Sequence, residues 1–296
     1  MSQKVELRGV LTALSTPFTA DEELDLGLLN KVVDRSIDAG VNGVVAGGST
    51  GEFASLSREE RIQLVDAVVS HTDGRVPVIA QTGATTTREA INLSKKAQNS
   101  GADVLMLVTP YYEPLSLEET TNYIRTVADE VELPVMLYNI PGATGVNLDA
   151  ETAGNLAREF DNIHYIKDSS ANWEQALQLI HHHSDVLDTI IGWDSYIYSA
   201  LVEGAAGVMA GAANVIPAEI VAVVRLMEEG RLAEGLAEWK KVYPVIDAMI
   251  SEPFIAAVKK GLELQGFPIG APRQPMAQVS AAATARIEKA LRTLNA

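Results

Sequence analysis

The 296-residue sequence contains no cysteine. That absence excludes a disulfide framework, a thiolate nucleophile and any cysteine-ligated metal, and it suits a cytoplasmic protein. Aromatic residues are scarce at 5%, and basic residues are outnumbered: 23 Lys and Arg stand against 39 Asp and Glu, a net charge of −16. Affinity for a phosphate backbone rests on clustered cations, so neither a nucleic acid nor an anionic membrane is an expected partner. Long hydrophobic runs are missing as well. The apolar run at residues 10–14 is too short for a secretory leader of the usual kind, and no run approaches the length of a membrane span. What is there is 47% hydrophobic. That supports a sizeable core in one large domain or two ordinary ones, and it excludes a disordered or low-complexity chain.

Short apolar, β-rich runs recur at residues 10–16, 43–46, 76–81, 104–109, 135–140, 163–168, 189–193 and 207–211. Between them, apolar residues fall at three- and four-residue spacing over 28–37, 58–69, 88–98, 117–131, 150–160, 173–181 and 196–202, the pattern of amphipathic helices. Ser57-Arg58-Glu59-Glu60 and Ser116-Leu117-Glu118-Glu119 read as capping boxes, and Gly40, Gly101 and Gly204 stand where left-handed helix ends belong. Strand and helix in alternation predict a parallel sheet, and nearly continuous apolar strands such as Val104-Leu105-Met106-Leu107-Val108 predict burial on both faces. Eight such units in about 215 residues fit an α/β fold of the (β/α)₈ TIM barrel type. No G-x-G-x-x-G follows the first strand, which argues against a dinucleotide-binding sheet. Helical patterns at 217–229, 231–250, 253–265 and 280–294 follow the eighth strand. The expected organisation is a barrel over residues 1–229 and a C-terminal helical subdomain over 230–296, packed on it through a stripe that includes Phe254, Val258 and Leu262.

In such a barrel the reacting groups come from the C-terminal ends of strands. Lys167 is the one lysine at the end of a predicted strand. Desolvation disfavours an ammonium, so a lysine in a barrel mouth can supply the neutral amine that attacks a carbonyl to form a Schiff base. The competing reading is a salt bridge to Asp168 or another carboxylate. Tyr138 ends the adjacent strand and offers a phenol for proton transfer, or it is ordinary packing. Ser49 and Thr50 lie between glycines, where hydroxyls and backbone N–H groups can hold a carboxylate, unless the glycines serve only a tight turn. Asp194, after Gly192-Trp193, either touches a polar substrate or caps the next helix, and Asn214 at the end of the last strand carries the same alternatives. His181-His182-His183 lacks a spaced carboxylate motif and reads as solvated histidines rather than a metal site.

Taken in order, Gly48-Ser49-Thr50-Gly51-Glu52, Thr109-Pro110-Tyr111-Tyr112, Tyr138-Asn139-Ile140-Pro141, Ile166-Lys167-Asp168 and Gly192-Trp193-Asp194 resemble the pyruvate-dependent class I aldolases and lyases. That family contains dihydrodipicolinate synthase, N-acetylneuraminate lyase and the 2-oxo-3-deoxy sugar-acid aldolases. The resemblance implies a Schiff base on Lys167, acid–base service by Tyr138, and a pyruvate carboxylate held by Ser49 and Thr50. It further implies a proton relay of Ser49, Tyr138 and Tyr112, with Tyr112 reaching a neighbouring subunit of a homotetramer built as a dimer of dimers. A protonated imine is its own electron sink, so no cofactor or metal is expected. Gly192, Asp194 and Asn214 would line the substrate. The synthases carry an arginine two residues after the proline of Y-N-x-P, where this chain has Ala143, and the sialic-acid lyases a glutamate after the aspartate of G-x-D, where it has Ser195. The expected reaction is therefore reversible aldol cleavage, or dehydration, of a 2-oxo-3-deoxy sugar acid. The alternatives are 4-hydroxy-tetrahydrodipicolinate synthase, N-acetylneuraminate lyase or a silent 2-oxo-acid-binding protein.

Overall fold

The computed structural model describes residues 4–295. Eight strands form where the apolar runs predict them: β1 (Gly9–Ala13), β2 (Gly43–Ala46), β3 (Val78–Gln81), β4 (Val104–Val108), β5 (Val135–Asn139), β6 (Ile163–Asp168), β7 (Asp188–Ile191) and β8 (Gly207–Ala210). They follow one another in chain order around a closed barrel with helices between the strands, a TIM barrel. Every residue of β1 to β5 and of β8 is buried, as expected of parallel strands covered on both faces.

Local chemistry sets the helix ends. At helix Arg58–Thr72 the Glu60 N–H donates to the Ser57 hydroxyl while the Glu60 carboxylate accepts from the Ser57 N–H; Ser116 and Glu119 do the same at helix Leu117–Asp129. Gly40, Gly101 and Gly204 end helices with φ of 89°, 93° and 97°. The strand ends fall shorter than predicted: β1 stops at Ala13, and residues 14–16 continue as loop. Three short elements were not foreseen. Pro141 opens a helical turn over Pro141–Thr144 that Gly145 closes with φ of 73°, and 3₁₀ turns occupy Phe53–Ser55 and Ala212–Asn214. A third 3₁₀ turn, Asp194–Tyr196, takes the start of the helix expected from 196, which begins at Ile197.

The chain groups into two compact units. The first comprises Pro77–Met209 with the N-terminal residues up to Arg8, and the second Gly9–Val76 with the residues from Ala210 onward. Within the first, β5 and β6 pair with a register shift. Val135 faces Ile163, but Met136 faces Tyr165, so His164 is an extra residue on β6. Without that bulge Tyr138 would stand opposite Ile166; with it, Tyr138 stands opposite Lys167 and Asn139 opposite Asp168. In the second unit, helix Leu232–Ile250 packs against helices Pro217–Glu228, Phe254–Leu264 and Ala281–Leu294, burying Val223, Ile246, Val258 and Ile287.

Candidate active site

Lys167, the penultimate residue of β6, is 4% exposed, which removes the possibility of a solvated surface lysine. Its ammonium lies 4.1 Å from the centre of the Tyr138 ring, on the neighbouring strand and also buried. Side chains alternate across a strand, so Asp168 points to the opposite face. There its Oδ1 accepts from Asn139 Nδ2 at 3.0 Å and from Gln175 Nε2 at 3.3 Å, and its Oδ2 from the Ser170 hydroxyl at 2.9 Å. Burial pushes the Asp168 carboxyl above its ordinary value, and these three donors oppose the shift. The bonds also account for the Asp168 carboxylate without Lys167: it is satisfied by neutral donors behind the strand. Asn139 belongs to the same network. Its Oδ1 accepts from the Leu148 N–H at 3.0 Å, and its Nδ2 reaches Asn147 Oδ1 at 3.0 Å. Neither Asn139 nor Gln175 was singled out from sequence, although Asn139 stands within a quoted motif.

Gly192 follows β7, and its N–H donates to the Asp168 carbonyl at 2.8 Å. A Cβ there would lie 2.6 Å from Lys167 Cε and 2.9 Å from Lys167 Cγ, and closer still to the Ser169 hydroxyl. The glycine lets backbone pass directly against the lysine stem. Asp194 is buried as the first residue of its 3₁₀ turn, with Trp193 in the capping position. Tyr112 lies on the loop after β4 and is 83% exposed. Ala143 lies exposed on the Pro141–Thr144 turn.

In the second unit, the loop after β2 carries Ser49, half-buried, and Thr50, buried. Gly47 turns the chain with φ of 65°. Three of the loop's amides are spent within it: Gly51 N–H on the Gly48 carbonyl at 3.0 Å, Glu52 N–H on the Ser49 carbonyl at 3.0 Å and Phe53 N–H on the Gly48 carbonyl at 3.4 Å. A Cβ on Gly211 would sit 3.0 Å from the Thr50 hydroxyl, so that backbone passes close by. Asn214 is buried and bonded at both ends of its amide. Its Oδ1 accepts from the Ser15 N–H at 2.9 Å, and its Nδ2 donates to the Ala13 and Gly211 carbonyls at 2.7 and 2.8 Å. Both amide protons are therefore spent on tying the end of β8 to the end of β1.

The histidine run needs correction. His183 is 5% exposed rather than solvated, because Gly154 leaves room for its ring and Arg158 Nη1 lies 3.3 Å from Nδ1. His181 is on the surface, 3.1 Å from Glu203. Among the described residues no cluster of His, Asp or Glu is arranged to hold a metal ion, and no helix is long and apolar enough to cross a membrane.

The pattern of the Dihydrodipicolinate synthetase family matches residues 6–294. The 4-hydroxy-tetrahydrodipicolinate synthase of Oceanobacillus iheyensis is 38% identical over 271 residues, 92% of either chain. The enzyme of that name from Methanocaldococcus jannaschii is 36% identical over 288 residues, 97% of this chain and 98% of its own. Among solved structures, YagE from E. coli K12, a prophage protein of the dihydrodipicolinic acid synthase family in complex with pyruvate, superposes with a TM-score of 0.94 at 31% identity, covering 98% of this chain and 99% of its own. The chloride-inhibited dihydrodipicolinate synthase of Acinetobacter baumannii complexed with pyruvate gives 0.93 at 32% identity, covering 97% and 99%. The chain belongs to the dihydrodipicolinate synthetase family and is a pyruvate-dependent class I lyase.

Proposed function

We propose that this member of the dihydrodipicolinate synthetase family forms a Schiff base between Lys167 and the C2 carbonyl of pyruvate and joins that three-carbon unit to an aldehyde, or releases it from one. The observation that carries the reading is the buried Lys167 ammonium 4.1 Å from the Tyr138 ring, on adjacent strand ends. The Lys167 amine attacks C2, the carbonyl oxygen leaves as water, and the protonated imine takes up the electron pair when a proton leaves C3. The resulting enamine attacks the aldehyde carbon, and hydrolysis of the imine returns the lysine; cleavage is the reverse. Tyr138 carries protons to and from the oxygen at C2. Ser49 and Thr50 hold the pyruvate carboxylate, and Asp194 faces the polar part of the second substrate. Gly192 keeps the space beside the lysine stem clear. Tyr112, largely exposed on its own subunit, completes the relay with Ser49 and Tyr138 from a neighbouring subunit in a homotetramer that is a dimer of dimers. The protein works in the cytoplasm on small molecules, with no cofactor.

For the second substrate, the names of the curated relatives support aspartate semialdehyde, and so 4-hydroxy-tetrahydrodipicolinate synthesis. One observation favours a second reading. Ala143 presents a methyl group on the exposed Pro141–Thr144 turn, where a bidentate guanidinium would be needed to clamp the carboxylate of the semialdehyde. A 2-oxo-3-deoxy sugar acid needs no such clamp. Incubation with pyruvate and borohydride, followed by intact mass and peptide mapping, tests the shared chemistry: a reduced pyruvyl adduct on Lys167 is expected, and its absence from folded protein refutes the Schiff base. Steady-state rates with aspartate semialdehyde plus pyruvate, and with 2-oxo-3-deoxy sugar acids, decide between the two partners.

A further inference from the structure

A second buried lysine takes no part in the chemistry above. Lys259, on helix Phe254–Leu264, is 3% exposed, and its ammonium lies 2.7 Å from Glu52 Oε1, itself buried. The ammonium also donates to the Ala271 carbonyl at 3.0 Å and stands 4.3 Å from the centre of the Phe18 ring. The other Glu52 oxygen accepts from the Arg273 N–H at 2.9 Å. Taking two charges out of water costs about as much as their attraction returns, so a buried pair adds little net stability and its effect lies in what it fixes in place.

The answer lies at Glu52. It is the last residue of Gly48-Ser49-Thr50-Gly51-Glu52 and adopts a left-handed backbone with φ of 59°, uncommon for a side chain of this kind. Its N–H donates to the Ser49 carbonyl, so any relaxation of Glu52 moves Ser49. The start of the same helix comes near the loop as well. A Cβ on Gly211 would lie 3.0 Å from both Phe254 Cζ and the Thr50 hydroxyl, which places the Phe254 ring, the Gly211 backbone and Thr50 side by side. We propose that Lys259, acting through Glu52, is a positioning residue that holds the Ser49–Thr50 hydroxyls in register for the pyruvate carboxylate, making helix Phe254–Leu264 a brace of the binding loop. The proposal rests on the reading that Ser49 and Thr50 bind that carboxylate.

The test is the pyruvate concentration for half-maximal borohydride trapping on Lys167 and the limiting trapping rate, measured for the intact wild-type chain and variants. Lys259→Met and Glu52→Gln are each expected to raise the half-saturating concentration about tenfold, the scale of one hydrogen bond to a charged group, with the limiting rate within about threefold of wild type. The double variant, which leaves no unpaired charge, is expected to stay near the single variants rather than reach the product of their effects. Lys259→Arg keeps the charge and restores most of the affinity; Lys260→Met, which breaks only the 2.6 Å pair with Glu263 on the same helix, changes nothing. If Lys259→Met does not fold, the double variant and Lys259→Arg carry the comparison. Lower thermal stability with an unmoved half-saturation in any folded variant lacking the Lys259–Glu52 pair overturns the proposal. Ser49→Ala and Thr50→Ala that leave half-saturation unmoved overturn the carboxylate reading itself, and absence of trapping in the wild type overturns both.

Discussion

Replacing Gly192 by alanine isolates how closely the lysine stem must be held. Gly192 is not among the glycines with left-handed backbone, so alanine meets no conformational obstacle there and the perturbation is steric. The added methyl would begin 2.6 Å from Lys167 Cε, against 3.4 Å for an ordinary contact, so the stem must retreat by about 0.8 Å. The Ser169 hydroxyl, closer still, escapes by rotation at the cost of its 3.1 Å bond to the Gly192 carbonyl, on the order of 1 kcal/mol. The lysine has no such escape, because Tyr138 flanks it on β5. A displacement of about 1 Å at a reacting group costs roughly 100-fold in rate. Gly192→Ala is therefore expected to lose about two orders of magnitude in limiting borohydride-trapping rate with pyruvate, while thermal unfolding falls by only about 1–3 kcal/mol of overpacking. Adding Ser169→Ala removes the nearest clash and leaves the lysine contact, so the double variant should stay slow. A wild-type trapping rate in Gly192→Ala, or full recovery on adding Ser169→Ala, would refute the argument that the glycine exists for Lys167.

Two further perturbations follow from the same geometry. Ala143→Arg supplies the missing cation on the Pro141–Thr144 turn and is expected to improve kcat/KM for aspartate semialdehyde by about tenfold, the equivalent of 1.4 kcal/mol, without altering half-saturation by pyruvate; no gain would mean that the turn does not face the second substrate. Asp168 has a carboxyl raised from 3.8 by burial, so the native state binds its proton more readily than the unfolded chain. Its contribution to stability is greatest below pH 3.8 and declines as pH rises through the elevated native value. The stability advantage of wild type over Asp168→Asn, measured by thermal unfolding at pH 4 and pH 7, should narrow toward neutrality; an advantage that widens with pH contradicts the assignment.

Much of this architecture was legible because period and burial are written in the same residues. The eight apolar runs predict eight strands, and the two serine–glutamate capping boxes predict helix starts that the structure reproduces to the residue, at Arg58 and Leu117. The short elements were illegible for a physical reason. Turns such as Phe53–Ser55 and Ala212–Asn214 are too brief to show a period, and what holds them is distant in sequence: Asn214 is bonded to Ala13 and Ser15, about 200 positions away. The same distance hid the use of Asn214, since a polar residue at a strand end looks alike whether it serves a substrate or the fold. His183 was hidden too, because the space it fills is made by an absent side chain at Gly154.

The pairing of Lys167 with Tyr138 shows where sequence reading ends. Both residues can be named from their motifs, yet their apposition depends on the single extra residue at His164. Remove the bulge and the period of two does the rest: Lys167 would pair with Asn139, its side chain would turn to the face now filled by Asp168, and Ile166 would take the place of the amine beside the tyrosine. No propensity of His164 announces this, for histidine is neither a strong strand former nor a breaker. The network behind the strands agrees with the shifted register, which sets Asn139 opposite Asp168, where Asn139, Gln175 and Ser170 all donate to the Asp168 carboxylate. The polar residues facing away from the chemistry are thus bonded in the same register that brings Lys167 to Tyr138.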